Sequence, residues 1–170
     1  GSKVGAVVGK WNTTHDRVWL GDEFWANPME NWRIVDGAAE CQSTGGDRNI
    51  HLITHQVTNL AGSLKMSVDI EEVEVGKTSG GAGFRVGIRS EINEHRSNCF
   101  AKNGINAGLL GDSLELGPKK QSLRNGVAPK KFALHLTGKS ADGGRFELTL
   151  TAADKAGIEL NGSKPSSIHV

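Results

Sequence analysis

Leu64 to Val75 reads LKMSVDIEEVEV, and its alternation of apolar and polar residues decides the fold class. From Leu64 to Ile70 every second residue is apolar, which is the period of a β-strand with one buried and one exposed face. After Glu72 the apolar parity moves by one position, and this shift predicts a β-bulge near Glu71 and Glu72. The stretch therefore predicts a long strand that covers one side of a core.

Similar short segments, separated by turn residues, recur along the rest of the chain. Gly83 to Arg89 has the same alternation, and its predicted hairpin partner is Arg96 to Ala101. A second predicted hairpin covers Trp32 to Cys41 and turns at Asp36-Gly37. The other predicted strands cover residues 4–8, 50–57, 105–110, 113–116, 132–137, 145–151, 158–160 and 168–170, with a turn over 138–144. About ten to twelve strands at 8–12-residue spacing are typical of a β-sandwich or barrel. No linker divides them, so the sequence predicts one domain over residues 1–170.

Composition and charge exclude several classes of protein. Apolar residues make up 36% of the chain and charged residues 23%, which is typical of a globular domain rather than a disordered one. The formal net charge of +1 gives no general attraction to nucleic acid. No apolar run approaches the roughly 20 residues of a membrane-spanning helix.

The two ends of the chain carry expectations of their own. Gly1-Ser2 looks like the remnant of a cleaved tag, so an export signal could have been removed with the natural N-terminus. The strand-like segment 168–170 stops at the last residue, which predicts a natural protein that continues further.

Redox and metal chemistry have few candidates. Cys41 and Cys99 fit either a disulfide of an exported protein or two buried thiols. A Ca²⁺ ion could be held by loop oxygens at two places, although loop Asp residues also build turns. These places are Asp22 with Glu23 and Asn27, and Asp142 with nearby carbonyl groups.

Asp69, Glu71 and Glu74 form an Asp-x-Glu-x-x-Glu string within the long predicted strand. Retaining glycosidases hold two carboxyl groups about 5–5.5 Å apart, and same-face residues two positions apart on a strand are separated by roughly 6–7 Å. The string resembles the Glu-x-Asp-x-x-Glu motif of a jelly-roll glucanase family, in a different order and without the surrounding aromatic residues. One hypothesis is therefore a glycoside hydrolase or polysaccharide lyase, and the alternative is a solvated strand face.

A second group combines cationic and amide side chains. Arg85 and Arg89 share one face of a predicted strand, and His95, Arg96 and Asn98 follow on the next segment. Guanidinium groups bind carboxylate, sulfate or phosphate in a planar, bidentate way. The group predicts a site for an anionic sugar, and the alternative is local ion pairing with acidic neighbours.

The aromatic residues are concentrated at the beginning of the chain. Its four tryptophans are Trp11, Trp19, Trp25 and Trp32. An exposed Trp stacks on sugar rings, whereas a Trp among apolar neighbours packs in a core. Trp19 and Trp25 lie among apolar neighbours, and core packing is the favoured interpretation for each of the four. Trp25 and Trp32 are the candidates for stacking on a ligand.

Three stretches together suggest a family. They are FWANP at 24–28 with WRIVDG at 32–37, GFRVGI at 83–88, and GINAG at 104–108 with GDSL at 111–114. From about residue 18 to the end, the chain resembles the laminin-G/concanavalin A-like jelly-roll domains that precede the catalytic domain of some bacterial exported metallophosphoesterases of the alkaline phosphatase D type. Similar jelly rolls are attached to polysaccharide-degrading enzymes.

The resemblance implies an all-β jelly-roll β-sandwich of two antiparallel sheets in a secreted, periplasmic or cell-surface protein. In that family the metal chemistry belongs to a separate catalytic domain. This chain contains no Asp-x-His and no Gly-Asn-His-Asp/Glu, so no phosphatase residue is carried over. The resemblance implies an accessory domain that docks a catalytic neighbour or binds glycan.

Three classes of function follow. The first is a non-catalytic carbohydrate-binding module, whose concave sheet binds an anionic glycan through the cationic group with Trp25 or Trp32 stacked on the sugar. The second is an enzyme that uses the acidic string. The third is a structural domain that packs on a catalytic neighbour and binds no ligand.

Overall fold

The computed structural model describes residues 9–22, 24–27, 29–43, 48–52, 62–73, 80–86, 105–123, 129–142, 145–154, 159–162 and 166–169. These residues form thirteen antiparallel strands and two short 3₁₀ helices, which confirms the all-β fold class. They fall into two compact units, one within residues 9–52 and one within 62–86 and 105–169. No helix among them is long and apolar enough to cross a membrane.

The smaller unit contains four strands and both 3₁₀ helices. The strands are β1 (Phe24–Asn27), β2 (Trp32–Val35), β3 (Ala38–Cys41) and β4 (Asn49–Leu52), and the 3₁₀ helices are Trp11–Thr13 and Met29–Asn31. β1 pairs with β4, and β2 pairs with β3. Three residues, Leu20, Ala26 and Ile34, are buried in the core of this unit.

The β2–β3 hairpin confirms the prediction made from Asp36-Gly37. Both residues have positive φ, 48° and 80°, as a two-residue type I′ hairpin turn requires. Asp tolerates this region better than most residues, and Gly has no Cβ to be strained there. The backbone N–H of Asp36 also donates to Oδ1 of Asp16 at 3.0 Å, which ties the turn to the preceding segment.

The larger unit contains nine strands in two sheets. They are β5 (Ser63–Glu71), β6 (Gly81–Val86), β7 (Ile105–Leu110), β8 (Ser113–Leu116), β9 (Lys119–Ser122), β10 (Lys131–Ala141), β11 (Arg145–Asp154), β12 (Glu159–Gly162) and β13 (Ser166–His169). One sheet has the order β12-β11-β10-β5, with β13 also paired to β11, and the other has the order β6-β7-β8-β9.

The two sheets of the larger unit share one hydrophobic core, which makes this unit a β-sandwich. Fully buried leucines come from both sheets: Leu114 and Leu116 on β8, Leu134 and Leu136 on β10, and Leu148 and Leu150 on β11. β5 contributes Leu64, Met66, Val68 and Ile70 from its inner face, while its alternate residues are exposed. The alternation that predicted this strand is therefore confirmed.

Two predictions about the ends of strands are wrong. The β5–β10 ladder runs from Ser63 to Glu71 without a register shift, and Glu72 N–H continues it by donating to Lys130 O at 2.8 Å, so there is no bulge at Glu71. The predicted turn over 138–144 is shorter, because β10 extends to Ala141. Gly138 lies inside that strand, where a Cβ would meet Leu148 Cδ2 at 2.8 Å, so glycine makes room for the leucine.

The described partner of β6 is β7. The predicted hairpin partner of this strand, 96–101, lies outside the described residues together with 4–8 and 53–57, so that pairing stays a prediction. β9, with the sequence KKQS, was not predicted, because a short polar edge strand carries no apolar alternation. The division into one domain and the jelly-roll type stay predictions.

Candidate binding face

One face of the four-stranded sheet carries a row of glycines followed by an ion pair. The register places Gly83 opposite Gly108, Gly108 opposite Glu115, and Glu115 opposite Lys120, so the row crosses all four strands. Side chains alternate along a strand, and the neighbouring Leu114 is buried in the core. The row therefore lies on the face that points away from the core.

β6 and β7 approach each other too closely for side chains at the two glycines. A Cβ on Gly83 would lie 2.5 Å from both Ala107 O and Gly108 Cα, and a Cβ on Gly108 would lie 2.4 Å from Ala82 O. All these atoms belong to the backbone and cannot rotate away. The two positions therefore leave a strip of backbone without side chains, which is exposed at Gly83, and another molecule can approach it closely there.

Arg85 and Asn106 form the neighbouring row on the same face. They are directly opposite in the β6–β7 ladder, and Arg85 Nη1 donates to Asn106 Oδ1 at 2.7 Å. Arg85 is half-buried, so its side chain lies along the sheet, while Asn106 is exposed. The contact fixes the orientation of a planar guanidinium that carries a permanent charge.

The far side of the row holds an ion pair. Lys120 Nζ lies 3.6 Å from Glu115 Oε1, and the two side chains are 64% and 13% exposed respectively. Glu115 is thus covered while the lysine reaches into solvent. We name the surface formed by Gly83, Arg85, Asn106, Gly108, Glu115 and Lys120 the Arg85 face.

The Arg85 face contains one residue of the predicted cationic group and several that the sequence analysis missed. Arg85 lies on the outer face of its strand, as predicted. The other predicted members, Arg89, His95, Arg96 and Asn98, lie outside the described residues. Asn106 and the facing glycines could be found only from the β6–β7 register, because nothing in the sequence states which strands are neighbours.

The acidic string lies on a different sheet, on the outer face of β5. Asp69 and Glu71 are exposed, and Glu74 lies outside the described residues. Glu71 Oε2 is 3.4 Å from Lys131 Nζ across the β5–β10 ladder. Two residues before Asp69, Ser67 Oγ makes a hydrogen bond of 2.9 Å with His135 Nδ1. These contacts are cross-strand pairs of a solvated sheet face.

One tryptophan differs from the sequence interpretation, while Trp11 and Trp32 pack against the small core as it favoured. Trp19 is 50% exposed, so core packing is wrong for this residue. Trp32 is half-buried against the small core, and its Nε1 is buried without a hydrogen-bond partner in the described part of the chain. Trp25 lies on β1, opposite His51 in the register. A ligand contact by Trp25 or Trp32 stays a prediction.

The described residues offer few metal ligands and one thiol. No three His, Cys, Asp or Glu residues among them group as a metal site requires. Of the predicted calcium ligands, Asp22 and Asp142 are exposed, and Glu23 lies outside the described residues. Cys41 is a free thiol whose Sγ donates to Ser43 O at 3.3 Å, and Cys99 is not among the described residues.

Comparisons of the chain with models of protein families, with curated proteins and with solved structures found no match.

Proposed function

We propose that this chain is a non-catalytic carbohydrate-binding module of an exported bacterial protein, with a jelly-roll, concanavalin A-like arrangement, and that the Arg85 face binds an anionic glycan. The observation that carries the proposal is the half-buried Arg85 guanidinium, oriented by Asn106 beside a strip of backbone without side chains. The resemblance to jelly-roll accessory domains supports the same class of ligand.

The charges of the Arg85 face favour an acidic group on the ligand. A guanidinium binds a sulfate or carboxylate through two parallel N–H donors, which gives orientation as well as attraction. Lys120 lies across the row on β9, where Glu115 pairs with it at 3.6 Å. The positive charge that an acidic sugar would meet on this face therefore comes from Arg85.

The glycine strip favours a flat, extended ligand. Side chains at Gly83 and Gly108 would stand between a sugar ring and the sheet, and the close approach of β6 and β7 excludes them. A strand surface without side chains lets a ring lie against the backbone. The strip covers β6 and β7 and is exposed at Gly83, so it offers room for a single ring of a polysaccharide beside Arg85.

Calorimetric titration of the chain with heparin, alginate and the neutral polymer dextran tests the proposal. We expect saturable binding to at least one acidic polymer, weakened by added salt because the contact is ionic. Arg85→Ala should lower the affinity by roughly tenfold or more, since a charge-assisted hydrogen bond contributes about 1.5–3 kcal/mol. The affinity of Arg85→Lys should lie between those of the wild type and Arg85→Ala, because lysine keeps the positive charge and lacks the planar pair of N–H donors.

Lys131→Ala is the matched control. It removes one cation from the outer face of the five-stranded sheet, where Lys131 pairs with Glu71. We expect this variant to bind as the wild type does. An equal loss of affinity in Lys131→Ala and Arg85→Ala would show general charge attraction and contradict the assigned site. Absence of binding to every acidic polymer would instead favour the structural docking domain.

A further inference from the structure

Among the described residues of the smaller unit, Trp19 is a large aromatic side chain that is exposed to solvent. It is 50% exposed, and the adjacent Val18 is 65% exposed. Leu20 on the following side is buried, whereas the polar residues His15, Asp16 and Asp22 in the flanking chain are exposed. The exposed apolar surface contributed by this segment therefore consists of Val18 and Trp19, with polar residues nearby in the chain.

The backbone on both sides of Trp19 is fixed. Arg17 forms an isolated antiparallel bridge with Ile34 through two hydrogen bonds, of 3.2 Å from its own N–H and 2.7 Å to its carbonyl. On the other side Leu20 is buried, and its carbonyl accepts a hydrogen bond of 2.9 Å from Trp11 Nε1. A ligand that stacks on Trp19 would therefore order little additional backbone, which lowers the entropic cost of binding.

Arg17 fixes the ring itself. Its guanidinium carbon lies 4.9 Å from the centroid of the Trp19 ring, within the range of a cation–π contact. Its Nε donates to Trp19 O at 2.7 Å, so the same side chain is tied to the backbone of the residue on which it stacks. The guanidinium occupies one face of the indole, and the exposure of Trp19 comes from the remaining surface.

We propose that Trp19 is a stacking platform for a pyranose ring of a neutral oligosaccharide, held in place by Arg17. The apolar C–H face of a sugar ring covers one aromatic face, and its hydroxyl rim needs polar surroundings such as those of Trp19. A protein partner would require a larger apolar patch than Val18 and Trp19 provide. The inference shares the ligand class of the proposed function and rests on none of the residues of the Arg85 face.

Calorimetric titration with cellohexaose, xylohexaose and maltohexaose tests this site. We expect saturable binding of at least one of these neutral hexasaccharides. Trp19→Ala should lower its affinity by at least about tenfold, as truncation of an aromatic anchor commonly does. Trp19→Phe keeps a smaller aromatic ring, so its affinity should fall less than that of Trp19→Ala. Since Trp19 is exposed, both variants should keep the far-ultraviolet circular dichroism of the wild type, which checks their folding.

Two further variants show whether the binding depends on Trp19 in particular. Met29→Ala removes another exposed apolar side chain of the same unit, 49% exposed, and should leave the affinity unchanged. Arg85→Ala should also leave binding of the neutral hexasaccharide unchanged, so a failure of the proposed function and a failure of this inference give different results. Unaltered affinity in Trp19→Ala, or no binding of any of the three hexasaccharides, would overturn the inference.

Discussion

Two glycines determine how the outer surface of the four-stranded sheet is built. Gly83 and Gly108 face each other where β6 and β7 come closest, and a Cβ on either one would overlap backbone atoms of the other strand. Glycine ordinarily weakens a strand, because it adds backbone entropy to the unfolded chain and packs no side chain. At these positions it is required for the two strands to pair at this spacing.

The requirement for glycine at position 83 can be tested by substituting alanine, which adds a single methyl group. Gly83→Ala places a Cβ 2.5 Å from Ala107 O, so the strands must separate, and we expect the free energy of unfolding to fall by roughly 1–3 kcal/mol, as for other overpacked sites. Urea denaturation followed by circular dichroism measures the change. Gly80→Ala is the control, because a Cβ there meets nothing within 4 Å. Equal stability of the two variants would show that the close approach is absent.

Residue-scale chemistry was the hardest part to predict from the sequence. The cation at Arg85 could be identified from its place in an alternating strand, whereas its partner Asn106 is 21 positions away and becomes visible only with the pairing of β6 and β7. The exposure of Trp19 was missed because its apolar neighbours indicated a core. Arg17 reverses that expectation by stacking on the ring and holding it at the surface.

At the scale of elements, the length of each strand decided how well it could be predicted. β5 alternates over nine residues, and β2–β3 contains an Asp-Gly turn whose backbone requirement is specific, so both were predicted. β9 has four residues and lies at a sheet edge, where packing imposes no pattern. The extension of β10 to Ala141 was missed because Gly138 is a turn residue by composition, although here it makes room for Leu148.

β10 shows the contrast between the two faces of one strand and provides a matched pair of substitutions. Leu134 is fully buried between the sheets, so Leu134→Ala should lower the free energy of unfolding by about 2–5 kcal/mol through lost burial and the cavity left behind. Thr137→Ala lies on the exposed face of the same strand, and we expect a change below about 1 kcal/mol. Chemical denaturation measures both. Similar losses at the two positions would contradict this difference between the faces of β10, and a larger loss at Thr137 would show that the faces are assigned the wrong way round.

For the whole molecule, the sequence predicted the all-β class, which is confirmed, and one domain, which stays a prediction. Among the described residues, the smaller unit has three buried residues in its core, while the larger unit has twelve. Three buried residues by themselves would give little stability, since small cores bury too little surface to balance the entropy of folding. The expectation of one domain predicts that the smaller unit unfolds together with the larger one.

The distribution of aromatic residues makes this expectation measurable without labels. All four tryptophans lie in residues 11–32 and tyrosine is absent, so intrinsic fluorescence reports on the smaller unit. Circular dichroism is dominated by the nine strands of the larger unit. If the chain is one domain, the two signals should follow a single urea transition with the same midpoint. A fluorescence midpoint at lower urea would establish two domains.

The β10–β11 hairpin has a consequence for the order in which the larger unit assembles. Its ten cross-strand pairs run from Phe132 with Asp154 to Ala141 with Arg145, so the chain closes this ladder over a short turn. The other partner of β10 is β5, whose nearest pair, Glu71 with Lys131, is separated by 60 positions. The entropy of closing the longer loop costs about 2 kcal/mol more, since that cost grows with the logarithm of loop length. We therefore expect the β10–β11 hairpin to form before β5 pairs with β10 during folding.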